Sequence, residues 1–264
     1  MEIDTTMDLL DLQNRVIFIS GGCGAIGRVI ARELVAHNAR VAVNDVINDI
    51  EAQAILAEID PTGERIAYFR ADSARPDEVA HALDAVEALW GGIDIVCCHA
   101  GMVEAYPVEQ YPLEQFDKLI DVNLRAAFAL AQAMSKRWIA AQKKGHLLFT
   151  TSWVQDVPWP EITPYTTSKA GLKAMMRGYA RELAAHGIRA NAVAPGIVAV
   201  GLAKRQWDTD PSYKARAQKA IPLGFMQPPE TVAHAFLYLC SDMAAYATGT
   251  VLVVDGGCSL YPMD

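Results

Sequence analysis

The chain has 264 residues, of which 52% are hydrophobic and 20% charged, with a formal net charge of −8. This supplies a sizeable apolar core, and no low-complexity or Pro/Gly/Ser-rich linker divides the chain, so one domain over 1–264 is expected. The acidic balance works against nucleic acid as a partner. Apolar stretches such as Ile93 to Cys98 are too short to span a membrane, and the acidic run Met1 to Leu12 has the wrong charge for a secretory or mitochondrial address, which points to the cytoplasm.

β-rich runs occur at Arg15 to Ser20, Arg40 to Asn44, Arg65 to Arg70, Ile93 to Cys97, His146 to Thr150, Ile188 to Val193 and Thr250 to Val254. Helical patterns separate them. Ile26 to Val35 carries apolar residues at Ile26, Val29, Ile30, Ala31, Leu34 and Val35, one broad stripe. Pro76 to Leu89 repeats the pattern after a proline start, Leu113 to Lys143 reads as one long helix, and Tyr165 to Ala185 as another, ended by Gly187. Strands alternating with helices require crossovers, hence a doubly wound α/β fold with a parallel sheet of about seven strands. Such sheets bind ligands beyond the carboxyl ends of their strands, so the motifs must converge there.

The first strand runs through Ser20-Gly21-Gly22-Cys23-Gly24-Ala25-Ile26-Gly27 directly into a helix. Glycines there let the backbone approach a pyrophosphate, whose charge meets the free amides of the helix start. The second strand ends at Asn44-Asp45, near the ~20-residue offset at which an acid meets the adenosine ribose. Asp45 would repel a phosphate there, and no Arg or Lys follows within several positions, so NAD is favoured over NADP. A capping carboxylate is the bland reading of Asp45, although Asp49 could fill that role instead.

Tyr165-Thr166-Thr167-Ser168-Lys169 opens a helix after Pro164, and the i, i+4 spacing sets Tyr165 and Lys169 on one face. A free phenol titrates near ~10 and must fall by roughly 2 to 3 to work near neutral pH, which costs about 3 to 4 kcal/mol. An ammonium about 4 Å away at an effective dielectric near 20 supplies about 4 kcal/mol. Such a pair also arises by chance on solvated helices. Here it has companions: Ser152 thirteen residues earlier, Asn123 within the preceding long helix, and Val254-Asp255-Gly256-Gly257 closing the last strand.

With the glycine turn, these residues resemble the short-chain dehydrogenase/reductase family along essentially the whole chain. The resemblance implies that Tyr165 is the acid/base, that Lys169 lowers its pKa and binds the nicotinamide ribose, that Ser152 holds the substrate oxygen, and that Asn123 holds a relay water. It also implies cofactor contacts at Gly21, Gly22, Cys23, Ala25, Ile26, Gly27, Asp45, Asp72, Ser73, Ala100, Gly101, Pro195, Gly196 and Val198. Hydride would pass between a secondary alcohol and the nicotinamide while Tyr165 moves the hydroxyl proton. Departures from the family pattern are Ser20 for its first Thr, Ala25 for a glycine, Cys98-His99 for an Asn-Asn pair, and Val200 for a threonine near the nicotinamide.

Trp153, Trp159 and Trp207, with Glu104, Gln155, Glu161 and Asp208, lie in the segments expected to form the substrate pocket, including a lid at about 199–220. Such a mix could stack on a sugar or polyol and bond its hydroxyls, or the tryptophans could merely pack the lid. Hydroxyacyl and steroid-like substrates stay open. Rival functions are an NADPH-dependent carbonyl or acyl-carrier reductase, which would want basic residues around Asn44 to Ile47, and a cofactor-binding regulator without catalysis. Small faces including Ala170, Ala174, Met175 and Ala180 resemble those that pair subunits in family homotetramers, and the tail Cys258 to Asp264 could reach a neighbouring subunit. The five cysteines show no zinc spacing and are expected to be free thiols, with Cys97 and Cys98 on opposite faces of a strand.

Overall fold

A computed structural model describes residues 9–260. Most of the acidic N-terminal run and the end of the C-terminal tail lie outside these residues, and with them the expectations made for both. Seven strands form one parallel sheet: β1 (Val16–Ser20), β2 (Arg40–Asp45), β3 (Ile66–Arg70), β4 (Ile95–Cys98), β5 (Gly145–Thr150), β6 (Ile188–Pro195) and β7 (Val251–Val254), in the order β3-β2-β1-β4-β5-β6-β7. The order reverses between β1 and β4, and it is there that a doubly wound sheet opens a crevice.

Alternation along the strands sorts the core into two layers. Ile17 and Ile19 face one side with Ile30, Ala31 and Leu34 of α1 (Gly27–Ala36), Leu56 of α2 (Asp49–Ile59) and Phe236 of α9 (Pro229–Cys240). Val16 and Phe18 face the other with Leu83 of α3 (Pro76–Trp90), Leu130 of α5 (Ala126–Ala140) and Leu172 of α6 (Thr163–Leu183). The same alternation sends Cys97 and Cys98 to opposite layers, and all five cysteines are buried free thiols. No described helix is long and apolar enough to cross a membrane.

Three readings need adjustment. The expected single helix from Leu113 is α4 (Leu113–Ile120), a wider π turn at Asp121–Arg125, and α5. Helix α6 starts at Thr163 because Pro164 fits its first turn, and a short tight-turn extension carries it to Gly187 at φ +69, the left-handed stop expected from the sequence. The cap of α2 is Asn48, whose Oδ1 accepts from Glu51 N at 2.9 Å, so neither Asp45 nor Asp49 is spent on capping. The lid consists of α7 (Gly201–Thr209) and α8 (Pro211–Ala220) over a third cluster that includes Trp153, Ile197 and Tyr213. Of the small face on α6, Ala180 packs into the core and Met175 against it, which leaves Ala174 exposed.

Candidate active site

Beyond β1 the chain turns at Gly21 with φ +70, where an added Cβ would lie 2.8 Å from Ala100 Cα. Only glycine lets this turn close on the loop after β4. A Cβ on Gly22 would lie 2.8 Å from Val43 Cγ1, and one on Gly27 would strike the Gly21 carbonyl oxygen. Gly22 and Gly27 therefore shape the turn from inside, and of the residues expected at the phosphates Gly21, Ala25 and Ile26 line the cleft while Gly22, Cys23 and Gly27 stand behind them. Cys23 N instead donates to Asp45 Oδ2 at 3.1 Å, and burial, reinforced by Asp45, pushes the Cys23 thiol up to about 12.

The cleft, about 560 Å³, starts at Gly21, Ala25 and Ile26, passes Asp45, Asp72 and Ser73, and continues along Ala100 and Gly101 to Tyr165, Lys169, Pro195, Gly196 and Val198. Gly24 and Val46 also line it. Its shape and lining fit an extended dinucleotide: close backbone at the phosphate position, a helix start beneath it, and a carboxylate where a ribose would lie. Glycine is also required at the far end, where a Cβ on Gly196 would come within 2.7 Å of Asp255 Cα. Asp255 fixes that turn, accepting from Gly257 N at 2.8 Å and Ser259 N at 2.7 Å.

Ser20 performs the strand-bridging work of the motif. Its hydroxyl donates to Cys97 O at 3.3 Å and accepts from His99 N at 3.0 Å and Ala100 N at 3.1 Å. His99 adds a second bridge, from Nδ1 to Thr150 Oγ1 at 2.8 Å. Burial, and then Lys169, push the His99 imidazole down to about 4, so it is neutral at physiological pH and acts as a tie between strand ends.

Tyr165, Lys169, Ser152 and Asn123 come together where β4 and β5 end. Lys169 Nζ lies 5.4 Å from the centre of the Tyr165 ring and donates to Thr150 O at 2.8 Å. Ser152, extended at φ −166, sets its hydroxyl toward the Tyr165 phenol, where it favours the ionised form. The electrostatics differ from the sequence expectation. Burial raises the phenol above its ordinary value and the Ser152 hydroxyl only opposes this, while burial pushes the Lys169 amine down to about 8. Desolvation thus dominates at both groups, and the ammonium is directed at a carbonyl.

Asn123, fully buried in the π turn, accepts from Met102 N at 2.8 Å and donates to Met102 O at 2.9 Å and Ser168 Oγ at 3.2 Å. Its side chain is therefore a clamp between the loop after β4 and α6, and a relay water at this residue would have to meet its backbone. A methyl on Gly101 would stand 3.4 Å from both Asn123 Oδ1 and Lys169 Nζ, which shows how closely these three segments meet.

A second cavity, about 130 Å³, shares Ser152, Tyr165, Gly196 and Val198 with the cleft. Of the substrate residues anticipated from sequence, Trp153, Trp159 and Glu161 line it, whereas Glu104, Gln155, Trp207 and Asp208 do not. Asp208 pairs with Lys204, and Trp207 sits under Lys214 Nζ at 5.7 Å. Trp153 and Trp159 meet edge to face at 5.4 Å, and Trp159 meets Tyr213 at 6.2 Å, so much of their surface packs the lid. Gln206, Tyr213 and Arg216 of the lid also line this cavity. They escaped the sequence reading because only the fold of α7 and α8 brings them to Trp159.

Comparison with known proteins places this geometry. A family model described as Enoyl-(Acyl carrier protein) reductase matches residues 22–259. The 3beta-hydroxysteroid dehydrogenase 1 of Eggerthella lenta is 32% identical over 252 residues, 96% of this chain and 96% of that protein. The L-rhamnose 1-dehydrogenase (NAD(P)(+)) of a Sphingomonas species is 30% identical over 246 residues, 93% of this chain and 96% of its own. The crystal structure of a short-chain type dehydrogenase/reductase from Mycobacterium marinum superposes with a TM-score of 0.87 at 32% identity, covering 96% of this chain and 98% of that one. The chain belongs to the short-chain dehydrogenase/reductase family of oxidoreductases.

Proposed function

We propose that the protein is an NAD-dependent dehydrogenase that oxidises a secondary alcohol of the sugar or polyol class, with Tyr165 as the acid/base. The observation that carries this reading is that Ser152 and Tyr165 form the wall common to the long cleft and the smaller cavity, with Lys169 behind them. An alcohol in the cavity would place its oxygen between the Ser152 hydroxyl and the phenol. Ser152 would hold that oxygen, Tyr165 would take the hydroxyl proton in oxidation or return it in reduction, and no free alkoxide need form. A nicotinamide bound in the cleft would supply the hydride acceptor and, when oxidised, a positive charge that lowers the buried phenol. Lys169, held by Thr150 O, would bind the ribose beside it.

NAD rather than NADP is supported by the lining of the cleft, in which Lys169 is the only Lys or Arg among the described residues. Asp45 carries a charge where a 2′-phosphate would lie, and the nearby Arg28 is turned to Cys23 O at 2.9 Å. The same lining argues against the NADPH-dependent reductase. For the substrate class, the rhamnose-oxidising relative and the mix of Trp159 with Glu161 and Gln206 favour a hydroxylated ring or chain. An apolar ring alcohol is the second reading, favoured by Ile162 and Leu202 in the cavity and by the hydroxysteroid relative.

Production of NADH from a panel of sugars, polyols, hydroxy acids and steroid alcohols tests the proposal, with NADP run in parallel. NADH from hydroxylated substrates is expected, and turnover only with NADP would overturn the cofactor assignment. Silence across the panel would favour a non-catalytic regulator. We also propose a homotetramer, which sizing at several concentrations tests; monomer throughout would refute it.

A further inference from the structure

Arg216 stands apart from the other arginines near the site. It lies on α8, half-buried, with its guanidinium 5.0 Å over the Trp159 ring and 5.9 Å over the Tyr213 ring, and it lines the cavity that Ser152 and Tyr165 close. Its Nε is shielded from solvent without a hydrogen-bond partner, and no described carboxylate lies within 4.0 Å of the guanidinium. Three other arginines have engaged guanidinium groups: Arg28 bonds Cys23 O, Arg137 bonds Asp84 and Glu87, and Arg189 bonds Ala244 O and Ala247 O.

A shielded Nε–H without an acceptor is costly, and the planar donor set of a guanidinium suits a carboxylate approached in two-point fashion. The two aromatic rings fix the guanidinium plane and so restrict the direction of that approach. Glu161 lines the same cavity but is exposed and unpaired with Arg216, so its charge is screened while the guanidinium stays open to a ligand.

We infer that Arg216 anchors a carboxylate on the substrate, and that the alcohol held at Ser152 and Tyr165 belongs to a hydroxy acid or sugar acid. This deepens the proposed dehydrogenase function and rests on it. Arg216 would act as a specificity residue: it binds the end of the molecule remote from the reacting carbon, and the hydride and proton transfers are those already described.

The test uses matched pairs that differ in one carboxylate: gluconate with sorbitol, galactonate with galactitol, glycerate with glycerol, and lactate with propane-1,2-diol. NADH formation is measured for the wild type, Arg216→Met and Arg216→Lys, and binding of each acid is followed through the emission of Trp159 and its neighbours. The expected result is that the wild type prefers at least one acid over its neutral partner. Arg216→Met then raises KM for that acid about 10- to 100-fold with kcat little changed, and changes the constants of the neutral partner far less. Arg216→Lys should recover part of the loss, and the fluorescence response to the acid should vanish in the Met variant. A wild type that favours every neutral partner, or a Met variant that changes acid and neutral constants equally or not at all, overturns the inference while leaving the dehydrogenase reading intact. Arg216-dependent acid binding with no NADH from any substrate would uphold the anion site and overturn the dehydrogenase reading.

Discussion

Lys169 is the place where function and stability pull in opposite directions. The side chain is 3% exposed, and burial pushes its amine from an ordinary 10.5 down to about 8. The unfolded chain keeps that proton up to about 10.5, so between the two values the unfolded state binds more protons and folding is favoured as pH rises. The interval of about 2.5 corresponds to about 3 kcal/mol. Below it the native state carries the full cost of a buried ammonium, offset by a charge-assisted bond to Thr150 O at 2.8 Å, and such bonds contribute about 1.5 to 3 kcal/mol.

Lys169→Met, similar in length and without charge, removes both contributions. It should abolish turnover and yet lie within about 2 kcal/mol of the wild type near neutral pH. Urea unfolding of both proteins at about pH 7.5 and about pH 10.5, with m-values compared, isolates the group because other titrations cancel in the difference. The wild type should gain on the variant by about 3 kcal/mol across that range. A stability difference that does not change with pH would refute the reasoning, since a lysine that keeps its proton in the fold is not desolvated in the way described.

Two further substitutions probe the cofactor end. Ser20→Ala leaves His99 N and Ala100 N without their acceptor and should destabilise the fold by about 2 to 4 kcal/mol in urea, whereas Ser20→Thr should be near neutral; equal effects would show that the hydroxyl is not what bridges the strands. Asp45→Ala should weaken NAD binding about tenfold or more and narrow the preference over NADP in a fluorescence titration, and an unchanged ratio would remove the ribose role from this residue.

The strands and the cleft were legible because they rest on local signals. The β-rich run ending at Ser20 and the glycine turn after it hold in the structure, and Tyr165 and Lys169 meet as their i, i+4 spacing requires. What could not be read depends on residues distant in sequence. The π turn around Asn123 interrupts an otherwise regular apolar pattern, and it is tied to Met102 and Ser168, neither of which a local window contains. The same holds for Gly22 and Gly27, whose inward orientation depends on Val43 and on the Gly21 carbonyl. The acidification of the phenol was read from a lysine at helical spacing, but burial acts on both groups and depends on the whole packed site. Arg216 was invisible because Tyr213, one turn earlier on its own helix, is only half of its setting, and nothing local announces that Trp159 will come to meet it.

The central claim is that the Tyr165 phenol carries the proton between the alcohol and the enzyme. Tyr165→Phe keeps the ring and loses the one oxygen that the Ser152 hydroxyl faces, so NADH should still bind with its wild-type affinity while kcat falls by about 10² to 10⁴. A variant that binds the cofactor normally and turns over within about tenfold of the wild type would contradict the account.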